Sequence, residues 1–435
     1  MSTLWCEQAL LPDGPGAAVS IVVDRDRITA VAPDSPRTGT VLTGLVVPSF
    51  ANVHSHAFHR ALRGRTHDEG GSFWTWRERM YAVAQRLDPD GYYRLARAVY
   101  AEMVLAGFTS VGEFHYLHHA PGGHSYADAN GMAHALVAAA QDAGIRLTLL
   151  DTCYLSGGFG ADLYPVQRRF SDHTAERWAE RVESFQPSAP YTLLGAAVHS
   201  VRAVPAEQIP TVVGWAQDRE APLHAHLSEQ RAENDACVDA YGYTPTELFA
   251  EAVALDDRFV AVHATHLSTQ DIGRLGAAGA GVCFCPTTER DLGDGIGPAR
   301  ALADAGAVLS LGSDSHAVID PFEEIRGLEM NERLARRARG QFSAAELLAA
   351  ATRHAAIGWH GLGAIEPGAS ADLVTVALDS VRTAGSNPSG IPLCASGSDV
   401  RDVLRAGEWL VRDGRHQRIE NPAAELTKVI GDLLG

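Results

Sequence analysis

Val46-Val47-Pro48-Ser49-Phe50-Ala51-Asn52-Val53-His54-Ser55-His56 decides how the rest of the chain reads. An apolar run ends in two histidines one residue apart, and in an extended strand such residues point to the same side. Both imidazoles can then reach one metal ion from a strand end. An H-x-H pair is weak alone, because the chain holds 19 histidines. Its weight comes from recurrence. His226 sits at the end of the run Pro222–Leu227, His263 at the end of Phe259–Ala264, and Asp314 just after Val308–Gly312. Imidazoles and a carboxylate gathered from separate strand ends suit Zn²⁺ or Fe²⁺ with a position left for water.

Between these runs lie Thr109–Phe114, Ile145–Thr152, Thr192–Val198 and Gly281–Cys285, which with Val46–Val53 make eight strand-like segments. Amphipathic stretches separate them: Gly91–Ala106, Gly131–Ala143, Ala175–Phe185 and Pro245–Ala254. Strands alternating with helices imply a parallel sheet. Eight strands close a (β/α)8 barrel, whose active site lies at the C-terminal strand ends. An open doubly wound sheet would gather its polar residues at one switch point. Here they fall after many strands, as His54 and His56, His115 and Tyr116, His199, His226, His263 and Asp314.

The flanks read differently. Ser20–Val23, Ile28–Ala32 and Thr40–Val47 are strand-like, as are Asp372–Leu378 and Asp399–Val411, with Asp413-Gly414 as a turn. Both ends are expected to share one small β domain, residues 1–47 and 369–435, around a barrel over 48–368. A helix is expected over Ala423–Leu434 and a last barrel helix near Ala344–Trp359.

Of 435 residues, 46% are hydrophobic and 20% charged, ordinary for a globular chain, and the formal charge is −17. That charge disfavours nucleic acid and anionic membrane as partners. A small anionic substrate needs only a few arginines inside a cleft. Six cysteines without a C-x-x-C pair exclude a disulfide framework or a zinc ribbon, so a reduced, cytoplasmic setting is expected. Cys283 and Cys285 are expected to be buried on one strand face. No signal peptide or membrane-spanning run is visible.

The order of H-x-H after strand one, histidines after strands five and six and aspartate after strand eight resembles the amidohydrolase superfamily. The resemblance implies one divalent ion on His54, His56, His226 and Asp314, with Zn²⁺ first and Fe²⁺ as the alternative. It implies that His263 handles protons and that Glu229, in His226-Leu227-Ser228-Glu229, is catalytic together with Asp314. Two-metal members bridge their ions through a carboxylated lysine after strand four. The sole lysine here is Lys428, which fits the single-metal, deaminase-like branch.

Within that branch, His54-Ser55-His56-Ala57-Phe58, Phe73-Trp74-Thr75-Trp76-Arg77-Glu78, Glu113-Phe114-His115-Tyr116-Leu117-His118-His119 and Gly312-Ser313-Asp314-Ser315-His316 resemble the formimidoylglutamate deiminases. These hydrolyse N-formimino-L-glutamate to N-formyl-L-glutamate and ammonia in histidine degradation. The resemblance implies a homodimer and a dianionic substrate held by Arg77, Tyr116, His199 and Arg202. Arginine forks onto carboxylates in bidentate fashion, which supports the same reading. His59 stands where better-known members carry a substrate-binding glutamine, and a histidine can keep that hydrogen bond or retune the substrate. His118, His119, His266 and His316 are expected to be supporting residues. The rivals are a deaminase of an aromatic ring amine such as guanine, another formimino amino acid as substrate, and a metal-binding homologue without catalysis.

Overall fold

The N-terminal strands β1 (Ser2–Leu11), β2 (Gly14–Asp24), β3 (Arg27–Ala32) and β4 (Thr40–Pro48) open the chain in the computed structural model. It describes residues 1–66, 73–187 and 189–435, with Phe73 and Trp74 through their backbone only. Eight consecutive strands follow: β5 (Phe50–Ser55), β6 (Phe108–His115), β7 (Arg146–Cys153), β8 (Thr192–Val198), β9 (Leu223–Leu227), β10 (Phe259–His263), β11 (Gly281–Phe284) and β12 (Val308–Leu311). They pair in parallel in chain order, with helices between them. The last four strands, β13 (Leu373–Val376), β14 (Val400–Arg405), β15 (Glu408–Arg412) and β16 (Arg415–His416), join the first four in a second sheet. Its order is β16-β15-β14-β13-β4-β1-β2-β3, so the small sheet is built from both termini and the (β/α)8 architecture is as expected.

The barrel closes where β12 meets β5. The amides of Ser313 and Asp314 donate to the His54 carbonyl (3.1 and 3.0 Å), and His56 N–H donates to the Asp314 carbonyl (3.3 Å). Gly312 permits this approach, since a Cβ there would lie 2.8 Å from both Cβ and O of His54. Closure therefore brings the first and last metal-ligand candidates together by backbone hydrogen bonds alone.

Three sequence expectations need correction. The run Val46–Val53 is two strands: Val46–Pro48 pairs with β13, and the barrel strand begins at Phe50. Pro48 has no N–H to continue a ladder. Ser49 N–H then donates to Asp372 O (3.2 Å) and Phe50 N–H to Gly107 O (3.1 Å), so the chain changes sheets at Ser49. The run Asp399–Val411 is a hairpin, β14 and β15, turned at Ala406-Gly407 with φ of +50° and +78°. Alanine in that conformation gives no sequence signal. Strand β1 lies outside the runs that the sequence marks as strand-like, because its alternation is carried partly by Cys6, Gln8 and Ala9 in place of β-branched residues.

Helices Gly131–Ala143 and Ala175–Ser184 match expectation closely, whereas Ala344–Ala351 stops early and gives way to a 3-10 turn, His354–Ile357. The terminal helix Pro422–Leu434 packs on the barrel helix Pro89–Leu105, tied by Arg94–Asp432 (3.1 Å) and by Arg97–Glu425. All six cysteines are free, and Cys283 and Cys285 are buried. Among the described residues no helix is long and apolar enough to cross a membrane.

One buried ion pair pins the small sheet to the barrel. Arg146 at the start of β7 forks onto Asp372, with Nη2 3.1 Å from Oδ1, while Ser370 Oγ and the Ala406 amide also donate to Asp372. Burial alone would raise the Asp372 carboxyl, but Arg146 holds it below its ordinary value. Its contribution is thus present above the unfolded value of about 3.9 and lost as pH falls through the lower folded value. Arg146→Ala leaves that carboxylate buried and unpaired, and should lower unfolding free energy by about 3–5 kcal/mol in chemical denaturation. A loss below about 1 kcal/mol, the range of an exposed pair, would contradict this role.

Candidate metal centre and active site

Strand alternation sorts the residues at the barrel mouth. From β5, His54 and His56 point inward and Ser55 outward. From β6, Phe114 and Tyr116 point inward, with the Phe114 ring 5.0 Å from His54 and 4.4 Å from His226. Glu113 and His115 point outward. His115 thus lies behind the wall, 4.8 Å from the His118 ring and 6.1 Å from Tyr92, away from the site.

Inside, the side chains converge. His226 Nε2 lies 3.2 Å from His54 Nε2 and 3.4 Å from His56 Nε2. Asp314 Oδ1 lies 3.3 Å from His54 Nε2 and 3.4 Å from His56 Nε2. The tautomers follow from the outer nitrogens. His56 Nδ1–H donates to the Phe114 carbonyl (2.9 Å) and His226 Nδ1–H to the His199 carbonyl (2.8 Å). Burial holds His54, His56 and His226 below their ordinary values, His56 down to about 3. Both His56 and His226 are therefore neutral, and their Nε2 lone pairs face each other in a buried site. No hydrogen joins those two atoms. A cation between them turns that repulsion into coordination, so the donor set fits a divalent ion.

The pair of histidines is braced from behind. The buried Glu113 carboxylate accepts from Ser55 Oγ (2.7 Å) and from the Ala57 amide (2.6 Å), one on each side of His56. Burial pushes Glu113 up to about 7, against those two hydrogen bonds. Asn52 does the same for the opposite loop, donating to Ser313 Oγ (2.7 Å) and accepting from Ser313 N–H (2.9 Å). The backbone carries strain here: Ser228, His263, Ala264 and Asp314 have φ of +52°, +69°, +49° and +41°. Such residues cost about 1–3 kcal/mol each and cluster at functional sites.

Beside the ligands lies a group suited to moving protons. His263 Nε2 is 3.7 Å from Glu229 Oε1 and 3.8 Å from Asp314 Oδ2, while its Nδ1 is 3.5 Å from Glu289 Oε1. Burial opposes a charged imidazole, but these three carboxylates hold His263 well above its ordinary value. Burial raises the Glu229 carboxyl, with His263 and Arg202 opposing. Burial also works against ionising Asp314, yet its hydrogen bond to His54 and the nearby imidazoles keep it well below the usual range. A readily ionised carboxylate and a reluctant one thus flank the same imidazole. His263 also belongs, with His54, His226 and Asp314, to a group whose donor atoms lie within 4.8 Å of one another.

Above the ligands opens a cavity of about 570 Å³, lined by His56, His226, Glu229, His263 and Asp314 below and by His59, Arg77, Tyr116, His199 and Arg202 at the sides. His54 lies fully buried beneath it. His59 Nε2 and the Tyr116 hydroxyl share a hydrogen bond of 2.9 Å, and the His59 ring stands 4.5 Å from His56. Arg77 projects from the helix Phe73–Arg86, its guanidinium 5.5 Å from the Tyr81 ring centre. Arg202 is already partly neutralised, since Nε donates to Glu233 Oε2 (2.8 Å) and Nη2 lies 3.6 Å from Glu229 Oε2. The rest of the wall is mostly aromatic, Trp76, Tyr81, Tyr154 and Phe170, with Met80 and Leu292.

Sequence reading passed over Glu113, Asn52, Glu289 and Tyr154. Tyr154 follows β7 directly, so the strand-end rule that found His199 would have found it too. Asn52 and Glu113 lie within strands and carried no such signal. The extra histidines are supports. His118 bonds the Thr152 carbonyl (2.9 Å), His119 Asp172 (2.9 Å), His266 the Asp294 carbonyl (2.8 Å) and His316 Ser55 Oγ (3.0 Å). Of the motif at 73–78, the Phe73 and Trp74 side chains lie outside the described residues.

A model of the amidohydrolase family matches residues 45–410. The chain is 37% identical to the formimidoylglutamate deiminase of Pseudomonas aeruginosa, over 100% of both chains. Among solved structures it superposes on an amidohydrolase from Brucella melitensis with a TM-score of 0.90, at 33% identity and 100% coverage of both. Atrazine chlorohydrolase TrzN from Arthrobacter aurescens TC1, complexed with zinc, shares the fold at a TM-score of 0.87 and 23% identity, covering 99% of this chain and 100% of that one.

Glu113→Gln keeps the shape of the brace but adds an amide where a carboxylate takes two donors. Its affinity for a divalent ion, read by chelator competition, should fall about 10–100-fold, as when outer partners of metal-ligating histidines are removed. Unchanged affinity would show that Ser55 and Ala57 hold their places without it.

Proposed function

Because the chain belongs to the amidohydrolase family, we propose that it is a metal-dependent deiminase that hydrolyses N-formimino-L-glutamate to N-formyl-L-glutamate and ammonia, as in histidine degradation. The observation that carries this reading is the cavity itself. Two guanidiniums, Arg77 and Arg202, stand in the wall of the pocket whose floor is the metal-ligand cluster. A substrate with two carboxylates beside an amidine meets both features at once. We assign the ion as zinc, with Fe²⁺ as the alternative, and the working form as a cytoplasmic homodimer.

The ion, held by His54, His56, His226 and Asp314, would supply Lewis acidity and lower the pKa of a water molecule beside it. The remaining work belongs to the chain. Arg77, Arg202, Tyr116, His199 and His59 fix the substrate so that its formimino carbon sits over the floor. Asp314, ionised by its surroundings, takes a proton from the attacking water, and His263 assists between Asp314 and Glu229. The water oxygen bonds to the formimino carbon. The amidinium nitrogen, now an NH₂ group, takes a proton from Glu229, to which His263 has passed the first water proton. Asp314 then takes the remaining hydroxyl proton, the C–N bond breaks, and ammonia leaves as the formyl C=O forms. Burial suits Glu229 to this task because it raises the carboxyl above its ordinary value and so favours the protonated form it must pass through.

The aromatic wall favours one alternative, a ring amine stacked between Trp76 and the tyrosines. The two readings part on substrate. Metal-loaded enzyme should release ammonia from N-formimino-L-glutamate at least about 100-fold faster, in kcat/KM, than from guanine, a gap worth roughly 2.7 kcal/mol of differential binding. The reverse order would overturn the proposal. Glu229→Gln should lower kcat by about 10²–10⁴-fold with metal content unchanged, and wild-type turnover by that variant would remove Glu229 from the mechanism.

A further inference from the structure

Tyr81, Tyr154 and Gln167 form a group that the functional reading above does not use. Gln167 is fully buried on the 3-10 turn Gln167–Phe170, while Tyr81 lies on the helix Phe73–Arg86 and Tyr154 follows β7. The amide orientation of Gln167 is fixed. Its Oε1 accepts the Tyr164 backbone N–H (2.8 Å), so the other end is the NH₂ group. That NH₂ donates one hydrogen to the Tyr81 hydroxyl (2.9 Å) and the other to the Tyr154 hydroxyl (2.8 Å).

Counting hydrogens gives the consequence. Both phenol oxygens serve as acceptors from Gln167, so each keeps its own proton to donate. Neither O–H is spent on Gln167, and both tyrosines line the catalytic cavity together with Arg77 and Arg202. The buried amide thus acts as a lock that holds both phenol oxygens as acceptors toward Gln167 and leaves their protons for another partner.

The position of the pair says what the spare donors meet. Tyr154 packs edge to face against His199, with ring centres 4.5 Å apart, and His199 likewise against the metal ligand His226 at 5.0 Å. The phenols therefore lie one histidine beyond the floor, at the end of the cavity away from the reacting carbon. Arg202, nearby, has much of its charge met by Glu233 (2.8 Å). A carboxylate arriving there has more lone pairs than that guanidinium can fill, and a neutral O–H donor completes the set.

We propose that Tyr81 and Tyr154, locked by Gln167, bind the substrate carboxylate farthest from the formimino group and so set the preference for an acidic side chain. This rests on the deiminase reading, and the test separates the two. N-formimino-L-glutamate is compared with N-formimino-L-norvaline, which has a methyl group in place of the distal carboxylate. Wild-type enzyme should turn over the glutamate compound; its failure to do so would overturn the functional reading before the tyrosines are tested. Given that turnover, Tyr81→Phe and Tyr154→Phe should each cut the glutamate-over-norvaline ratio of kcat/KM by about 10-fold, the size of a hydrogen bond to a charged group. The loss should appear in KM for the glutamate compound. Gln167→Glu is the sharper arm, because a carboxylate there accepts both phenol protons and turns them away from the cavity. It should lower the ratio at least as far as either phenylalanine variant. A partly misfolded variant lowers both activities together and leaves the ratio alone. A ratio within about twofold of wild type in all three variants would overturn the inference.

Discussion

Two imidazole lone pairs, on His56 and His226, face each other 3.4 Å apart at the buried floor of the barrel mouth, and the fold keeps them there. Neither ring can turn away, because each spends its outer N–H on a backbone carbonyl, of Phe114 and of His199. Those carbonyls belong to the ends of β6 and β8, so neighbouring strands hold the rings. The arrangement is unfavourable in isolation and becomes favourable when a divalent cation is shared. Stability and metal binding are thus opposed at the centre of the barrel, and the surrounding structure carries the cost.

Much of that cost is met by features that touch no substrate. Barrel closure delivers Asp314 to His54 through backbone hydrogen bonds, with Gly312 small enough to allow it. Glu113 and Asn52 pin the two loops that carry the ligands. His263 and Asp314, whose side chains enter the site, both sit in left-handed backbone conformations. The small sheet, locked to β7 through Arg146 and Asp372, steadies the opposite end of the barrel. The catalytic groups can then differ in proton affinity by position alone: Asp314 is ionised by neighbouring imidazoles, while burial keeps Glu229 ready to carry a proton.

The barrel was legible in the sequence because six of its eight strands end in residue types that only a functional mouth would gather. His54, His56, His226, His263 and Asp314 announced themselves by that rule, and so did Tyr116 and His199. The rule has two blind sides. It does not distinguish inward from outward positions when strand ends are uncertain by one residue, so His115 looked like a site residue although it faces the helices. It also overlooks residues that act through others. Asn52, Glu113 and Gln167 lie within strands or in a loop turn, and their roles come from partners far away in the chain. The edges of the small sheet were obscure for a different reason: the turn at Ala406-Gly407 and the sheet change at Ser49 depend on tertiary pairing that local composition does not record.

The central claim is that one divalent ion sits between His54, His56, His226 and Asp314, with His263 left free to handle protons. Anomalous diffraction from metal-loaded crystals, collected on either side of the zinc edge, tests it directly. The account predicts a single peak about 2.0–2.2 Å from the Nε2 atoms of the three histidines and from a carboxylate oxygen of Asp314. A second peak of comparable height, or a single peak bonded to His263 in place of His56, would contradict it.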